Sequence, residues 1–235
     1  TAGAFPEGTQ LDASDYPDSN LALAGTAANA VAVWNRTFTT DSHAAGSNAT
    51  AEDLVRAMSA TEVMAGVRRD GVFHTTRLSD NATPDLGPVV AASGDRAIAL
   101  WRAVSPGDLS SPLDFTSDTI QYRMYNGTSG GSGWQETATL YDGSLNKATG
   151  VNAAKLPDGR AAVVYQVSGS DDTGAHIVCS VLNADGSMAN TLRVSDMGDT
   201  GERAGTSLAN LAPLVTTARF PDGEHRFVVG WQATD

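Results

Sequence analysis

Four histidines, one cysteine and 27 acidic residues are the side chains from which this 235-residue sequence could assemble a reactive or metal-binding centre. The histidines stand at positions 43, 74, 176 and 225, too scattered for the short ligand spacings of a zinc site. Cys179 lies in the apolar run His176-Ile-Val-Cys-Ser-Val, which suits a buried, inert thiol, and a single cysteine excludes an intrachain disulfide. Asp12, Asp15 and Asp18 offer carboxylates without the spacing or the bend glycine of a calcium loop. Glycoside hydrolysis needs two carboxyl groups held a few ångströms apart, and among so many acids the sequence selects no pair. No Gly-x-Ser-x-Gly elbow presents a serine nucleophile. No metal and no cofactor is expected.

The polar residues that do show a pattern owe it to a repeat. An apolar strand, a tight turn and a second apolar strand ending in an aromatic recur four times. The second strands are Val31-Ala-Val-Trp34, Ile98-Ala-Leu-Trp101, Ala162-Val-Val-Tyr165 and Phe227-Val-Val-Gly-Trp231. The period is about 65 residues, and self-similarity at one period marks a repeat architecture. The residue after each aromatic is polar: Asn35, Arg102, Gln166 and Gln232. Neighbouring strand residues point to opposite sides, so these four face away from the aromatics.

Each unit extends to further strands. In the first, strands over Glu62–Arg68 and Val72–Leu78 flank the hairpin signal Asp70-Gly71, and one short helix is expected near 51–59. Thr50 caps that helix, Glu52 and Asp53 suit its positive end, and Leu54, Val55 and Met58 share a face. The second unit places strands near 88–93, 96–103, 119–125 and 134–141, and the third near 150–156, 160–167, 175–183 and 188–195. The fourth supplies two strands around Pro221-Asp-Gly223. Four-stranded antiparallel meanders repeating radially make an all-β fold, a β-propeller with blades near 19–80, 85–143, 150–196 and an incomplete 208–235. At about 3.6 blades, the chain is expected to be part of a larger propeller.

The second-to-third-strand connections and the links between blades fall on one face of such a ring, and the longest excursions, 37–60 and 104–117, lie there. Insertions gathered on one face are the pattern of a binding face in repeat proteins. The candidate ligand-binding residues on it are Asn35, Arg36, Asp41, His43, Arg102, Asp108, Asp114, Asp171 and Asp172, with Asp80 and Asn81 on a blade link. Two roles are open to the polar residues at strand ends: hydrogen bonding to loop backbone, or facing a ligand. The periodic aromatics, on apolar strands, are expected between blades as core rather than as platforms for sugars.

Leu156-Pro-Asp-Gly-Arg160 and Phe220-Pro-Asp-Gly-Glu224 resemble the Pro-Asp-Gly turns of TolB-like propellers, and the unit as a whole looks like blades of bacterial secreted and cell-surface propellers, sialidase-like ones included. That resemblance implies a secreted or surface-displayed bacterial protein. Ser170-x-Asp172-x-Gly174 touches the Asp-box of sialidases, but that family places the box in the third-to-fourth turn, and here it falls between second and third strands. A net charge of −12 repels a phosphate backbone, so no nucleic-acid partner is expected, and no run reaches the roughly 18 apolar residues of a membrane helix. The expected function is noncatalytic binding of a glycan or protein on a cell surface. The alternatives are part of a carbohydrate-active hydrolase, or a structural spacer.

Overall fold

Turns bearing glycine and aspartate cut the chain into short strands, and in the computed structural model these strands pair with their neighbours in chain order. The structure describes residues 13–26, 29–39, 50–106, 115–127, 133–143, 147–168, 175–196 and 209–234. The first antiparallel sheet is β1 (Asp18–Gly25), β2 (Ala30–Thr37), β3 (Thr61–Arg69) and β4 (Val72–Arg77). The second is β5 (Asp85–Ser93), β6 (Arg96–Pro106), β7 (Phe115–Tyr125) and β8 (Ala138–Gly143). The third is β9 (Lys147–Lys155), β10 (Ala161–Ser168), β11 (Ala175–Leu182) and β12 (Met188–Arg193), and the fourth is the pair β13 (Ala209–Arg219) and β14 (His225–Thr234). These are the blades of a β-propeller. The helix α1 occupies Ala51–Ser59; Thr50 Oγ1 accepts from the Asp53 amide at 3.1 Å and Asp53 Oδ2 accepts from the Thr50 amide at 3.0 Å, a closed capping box. It buries no residue, and among the described residues no helix is long and apolar enough to cross a membrane.

Three apolar interfaces stack the blades. Val31, Val33, Val63 and Val67 of the first meet Ala97, Ala99, Trp101 and Tyr125 of the second. Ile98, Leu100, Ile120 and Met124 of the second meet Val163, Tyr165 and Leu182 of the third. Val164, Ile177 and Cys179 of the third meet Val215, Phe227 and Trp231 of the fourth. Trp101, Tyr165 and Trp231 thus each face the preceding blade, as core. Trp34 is turned the same way, among Ala32, Met64, Phe38 and Phe73, and a Cβ on Gly66 would stand 3.3 Å from its ring. Burial pushes the Cys179 thiol pKa up, which keeps it protonated and unreactive.

Several boundaries differ from the sequence expectation: β6 runs on to Pro106 and β7 begins at Phe115, which shortens the expected 104–117 excursion, and β12 ends at Arg193 rather than near 195. The strand placed near 134–141 begins only at Ala138: Trp134 instead makes a single bridge to Tyr125, with the two rings 5.2 Å apart. The first strand of every blade also starts earlier than its apolar run, because a bulge interrupts its register. Asn20, Gly87, Gly150 and Ala212 occupy equivalent places in those bulges, with φ of 53°, 58°, 60° and 49°. A side chain in this left-handed region costs about 1–2 kcal/mol, and glycine escapes that cost. A Cβ on Gly87 would meet nothing within 4 Å, so Gly87→Ala isolates the backbone effect. The expected loss is about 1 kcal/mol in urea unfolding. Ala212→Gly relieves the strain while freeing the unfolded chain, and is expected to be neutral or stabilising by up to about 1 kcal/mol; a harmless Gly87→Ala would remove the bulge from the account.

Candidate functional site

The face carrying the β2–β3 and β6–β7 connections and the links between blades begins at the ends of the second strands. Asn35, near the end of β2, faces the second blade and is completely buried. Its Nδ2 donates to the main-chain oxygen of Asp85 at 2.6 Å, and its Oδ1 accepts from Asn20 Nδ2 at 3.1 Å. One amide therefore joins the β1 bulge to the opening of β5. Arg36 points to the other side of the sheet. It grips Asp18 with two hydrogen bonds, from Nε at 2.8 Å and Nη2 at 2.9 Å, and its guanidinium lies 5.9 Å from the centre of the Trp34 ring.

Arg102, one blade on, is half-buried and stands in register with Leu86 and Ile120. Gln166 donates to Ser168 Oγ at 3.3 Å, and Gln232 is exposed. Asp41, His43, Asp108, Asp114, Asp171 and Asp172 lie outside the described residues, as does the Ser170-x-Asp172-x-Gly174 stretch.

A polar cluster that sequence reasoning missed seals this end of the first two blades. Glu62, opening β3, is 1% exposed. Its Oε2 accepts from Ser79 Oγ at 2.6 Å; its Oε1 accepts from the Asn81 amide at 2.9 Å and pairs with Arg77 Nη2 at 3.0 Å. Arg77 also pairs with Asp80 at 2.8 Å, and Ser79 Oγ accepts from the Val63 amide at 2.9 Å. Asn81 Nδ2 reaches Asp85 Oδ2 at 2.9 Å, while Asp85 Oδ1 is buried without a hydrogen-bond partner among the described residues. Asp80 and Asn81, read as ligand candidates, thus belong to the link that closes over two buried carboxyl groups.

Register explains the state of Asp85. Asp18 and Asp85 occupy equivalent places in β1 and β5, but the residue across from Asp18 is Arg36, and the one across from Asp85 is Ala103. Without that cation, burial pushes the Asp85 pKa up to about 7; the nearby Glu62 charge adds to the rise, and the neighbouring Ser79 hydroxyl and the Asn81 amide oppose it. Two carboxyl groups with one raised pKa have the composition of an acid/base pair. Both are buried beneath the 78–84 link, which bonds to them through the Asn81 amide and side chain.

At the opposite, hairpin-turn face, a cleft of about 100 Å³ opens between the first two blades, lined by Asn29, Arg68, Arg69, Asp95, Tyr125 and Gly127. Arg69 Nε donates to the Tyr125 hydroxyl at 2.7 Å. Among the described residues no three of His, Cys, Asp and Glu are grouped to hold a metal ion.

No protein-family model and no curated protein matches the chain. Among solved structures, it is similar to Trypanosoma rangeli sialidase in complex with sialic acid, at 10% identity and a TM-score of 0.50 over 92% of this chain and 34% of that one. The same sialidase in complex with the inhibitor DANA gives 11% identity and a TM-score of 0.49 over 93% and 38%. Penicillium chrysogenum alpha-L-arabinanase complexed with arabinobiose gives 13% identity and a TM-score of 0.45 over 86% and 53%. The chain thus spans about a third of the sialidase. At such identity, the likeness shows the propeller fold alone.

Asp85 makes stability depend on pH. Its folded pKa lies above the ordinary value of 3.8, so its contribution is whole below about pH 4 and is lost as pH rises through about 7. In Asp85→Asn the amide oxygen still accepts from Asn81 and cannot ionise. The variant is expected to gain on the parent by several degrees in melting temperature between pH 4 and pH 8, at roughly 2–4 °C per kcal/mol for a chain of this size. Parallel curves for the two proteins would show that Asp85 ionises freely.

Proposed function

We propose that the chain is a noncatalytic β-propeller module of a secreted or surface-displayed bacterial protein, and that it engages a glycan or a protein through its loop-bearing face. The observation carrying this reading is the condition of the polar side chains at the strand ends of that face. Asn35, Arg36, Glu62 and Asp85 are all buried and hold strands and blades together. These residues serve as scaffold for the connections above them, so recognition falls to the connections themselves. The β2–β3 connection supports this: α1 buries no residue, and the hydrogen bond from the Phe38 amide to the Ala60 oxygen, 2.8 Å, closes the excursion at its base. A helix that buries no residue is free to vary with a ligand.

The rival reading, part of a carbohydrate-active hydrolase, is favoured by the raised pKa of Asp85 beside Glu62 and opposed by the burial of both. Immobilised sialylated and neutral glycans, together with glycoproteins bearing them, separate the two. The expected result is retention of the chain without cleavage, and loss of most of that retention when residues 40–59 are replaced by a short Gly-Ser bridge. Release of a sugar by the chain would overturn the noncatalytic reading, and retention unchanged by the replacement would move recognition off this connection.

A further inference from the structure

A single residue of the link between the first two blades holds a carboxyl group from each. The Asn81 amide donates to Glu62 Oε1 at 2.9 Å, and Asn81 Nδ2 donates to Asp85 Oδ2 at 2.9 Å. The start of the link is fastened to β3 as well, the Leu78 amide donating to the Val63 oxygen at 2.7 Å and the Val63 amide to Ser79 Oγ at 2.9 Å. The hold of the link on the junction therefore depends on the charge of the two carboxyl groups beneath it.

Glu62 and Asp85 stand within hydrogen-bonding reach of each other. Ionised carboxylates only accept, so a pair at that range needs a hydrogen between its members. The Ser79 hydroxyl neighbours both, but it has one hydrogen and gives it to Glu62 Oε2 at 2.6 Å, while Asp85 Oδ1 is buried without a partner among the described residues. Nor does a cation face Asp85. Arg77 of β4 pairs with Glu62 and with Asp80 of the link. Arg36 of β2 lies on the other side of its sheet with Asp18 of β1. Arg102 of β6 follows Trp101, which faces the first blade, and so is turned to the third. Lys155 of β9 ends on the Gly159 oxygen at the opposite, hairpin-turn face. The charge that Asp85 meets is that of Glu62.

We infer that the 78–84 link is a pH-sensitive latch, closed while Glu62 and Asp85 share one proton and loosened when that proton passes to solvent. Two anions side by side out of water repel each other and lack hydration, and opening the link relieves both. In the closed state the Asp85 pKa is pushed up to about 7, and once water reaches the group it returns toward its ordinary value of 3.8. The closed latch is thus fully favoured below about pH 4 and loses ground as pH rises to about 7.

Native-state hydrogen exchange read by NMR between pH 5 and pH 8, corrected for the intrinsic effect of pH on exchange, tests this on the chain and on Asp85→Asn. In that variant the new amide donates to Glu62 in place of the shared proton and cannot ionise. In the parent, the Asn81 and Val63 amides are expected to exchange ahead of those of β10, with protection falling about tenfold per pH unit up to about pH 7 and levelling above it. In the variant their protection is expected to stay level. Protection that ignores pH in the parent overturns the inference, as does the same fall in the variant. So does exchange of these amides only in step with β10, which would leave global unfolding and no latch. The infrared carbonyl band of a protonated carboxyl group reads the shared proton without any variant: it is expected in the parent at pH 6 and gone by pH 9, and its absence at pH 6 overturns the inference.

Discussion

A strand packed on both faces must be apolar on both, and this constraint governs the chain. β2, β6 and β10 are the central strands over which blades meet, and their sequences are near-continuous apolar runs rather than alternations. Alternation survives as size. Ala32, Ala97, Ala99 and Ala162 let neighbouring sheets approach, and one large ring per blade fills the wedge between them. Trp101, Tyr165 and Trp231 each face the preceding blade, so each interface receives one of the periodic rings, beside further rings such as Tyr125, Tyr122 and Phe227.

The innermost strands meet a second constraint. A bulge with one left-handed residue in each first strand resets the register just ahead of the apolar run. In the first blade that residue is Asn20, whose amide is delivered to Asn35 and, through it, to the backbone of Asp85 in the next blade. Backbone geometry, strand-end polar groups and the interblade link thus form one continuous seal. It keeps Glu62 and Asp85 from solvent and leaves the connections above it to meet whatever the face binds.

The sheet order and the helix were legible because their signals are local. Apolar runs, Asp-Gly turns and a capping residue lie within a few positions of the elements they define, and the recurrence of Trp34, Trp101, Tyr165 and Trp231 exposed the period. The bulge was not legible, since Asn, Gly, Gly and Ala fill one structural place and share only a backbone conformation. Nor was the Glu62–Asp85 cluster: its members are brought together by a blade contact, and what makes Asp85 unusual is Ala103 standing across from it where the first blade has Arg36. For Asn35, the sequence showed a polar residue turned away from the ring and left two roles open; the hydrogen bonds to Asp85 and Asn20 assign it to the scaffold.

If interblade packing is what holds the molecule, the sheets should unfold as one unit and not in turn. Native-state hydrogen exchange measures this directly. The account expects the slowest amides in β2, β6 and β10, with a common opening free energy close to that of global unfolding, and faster exchange in β14, which pairs with one strand among the described residues. A ladder of separate opening energies, one for each sheet, would contradict it and make each blade its own folding unit.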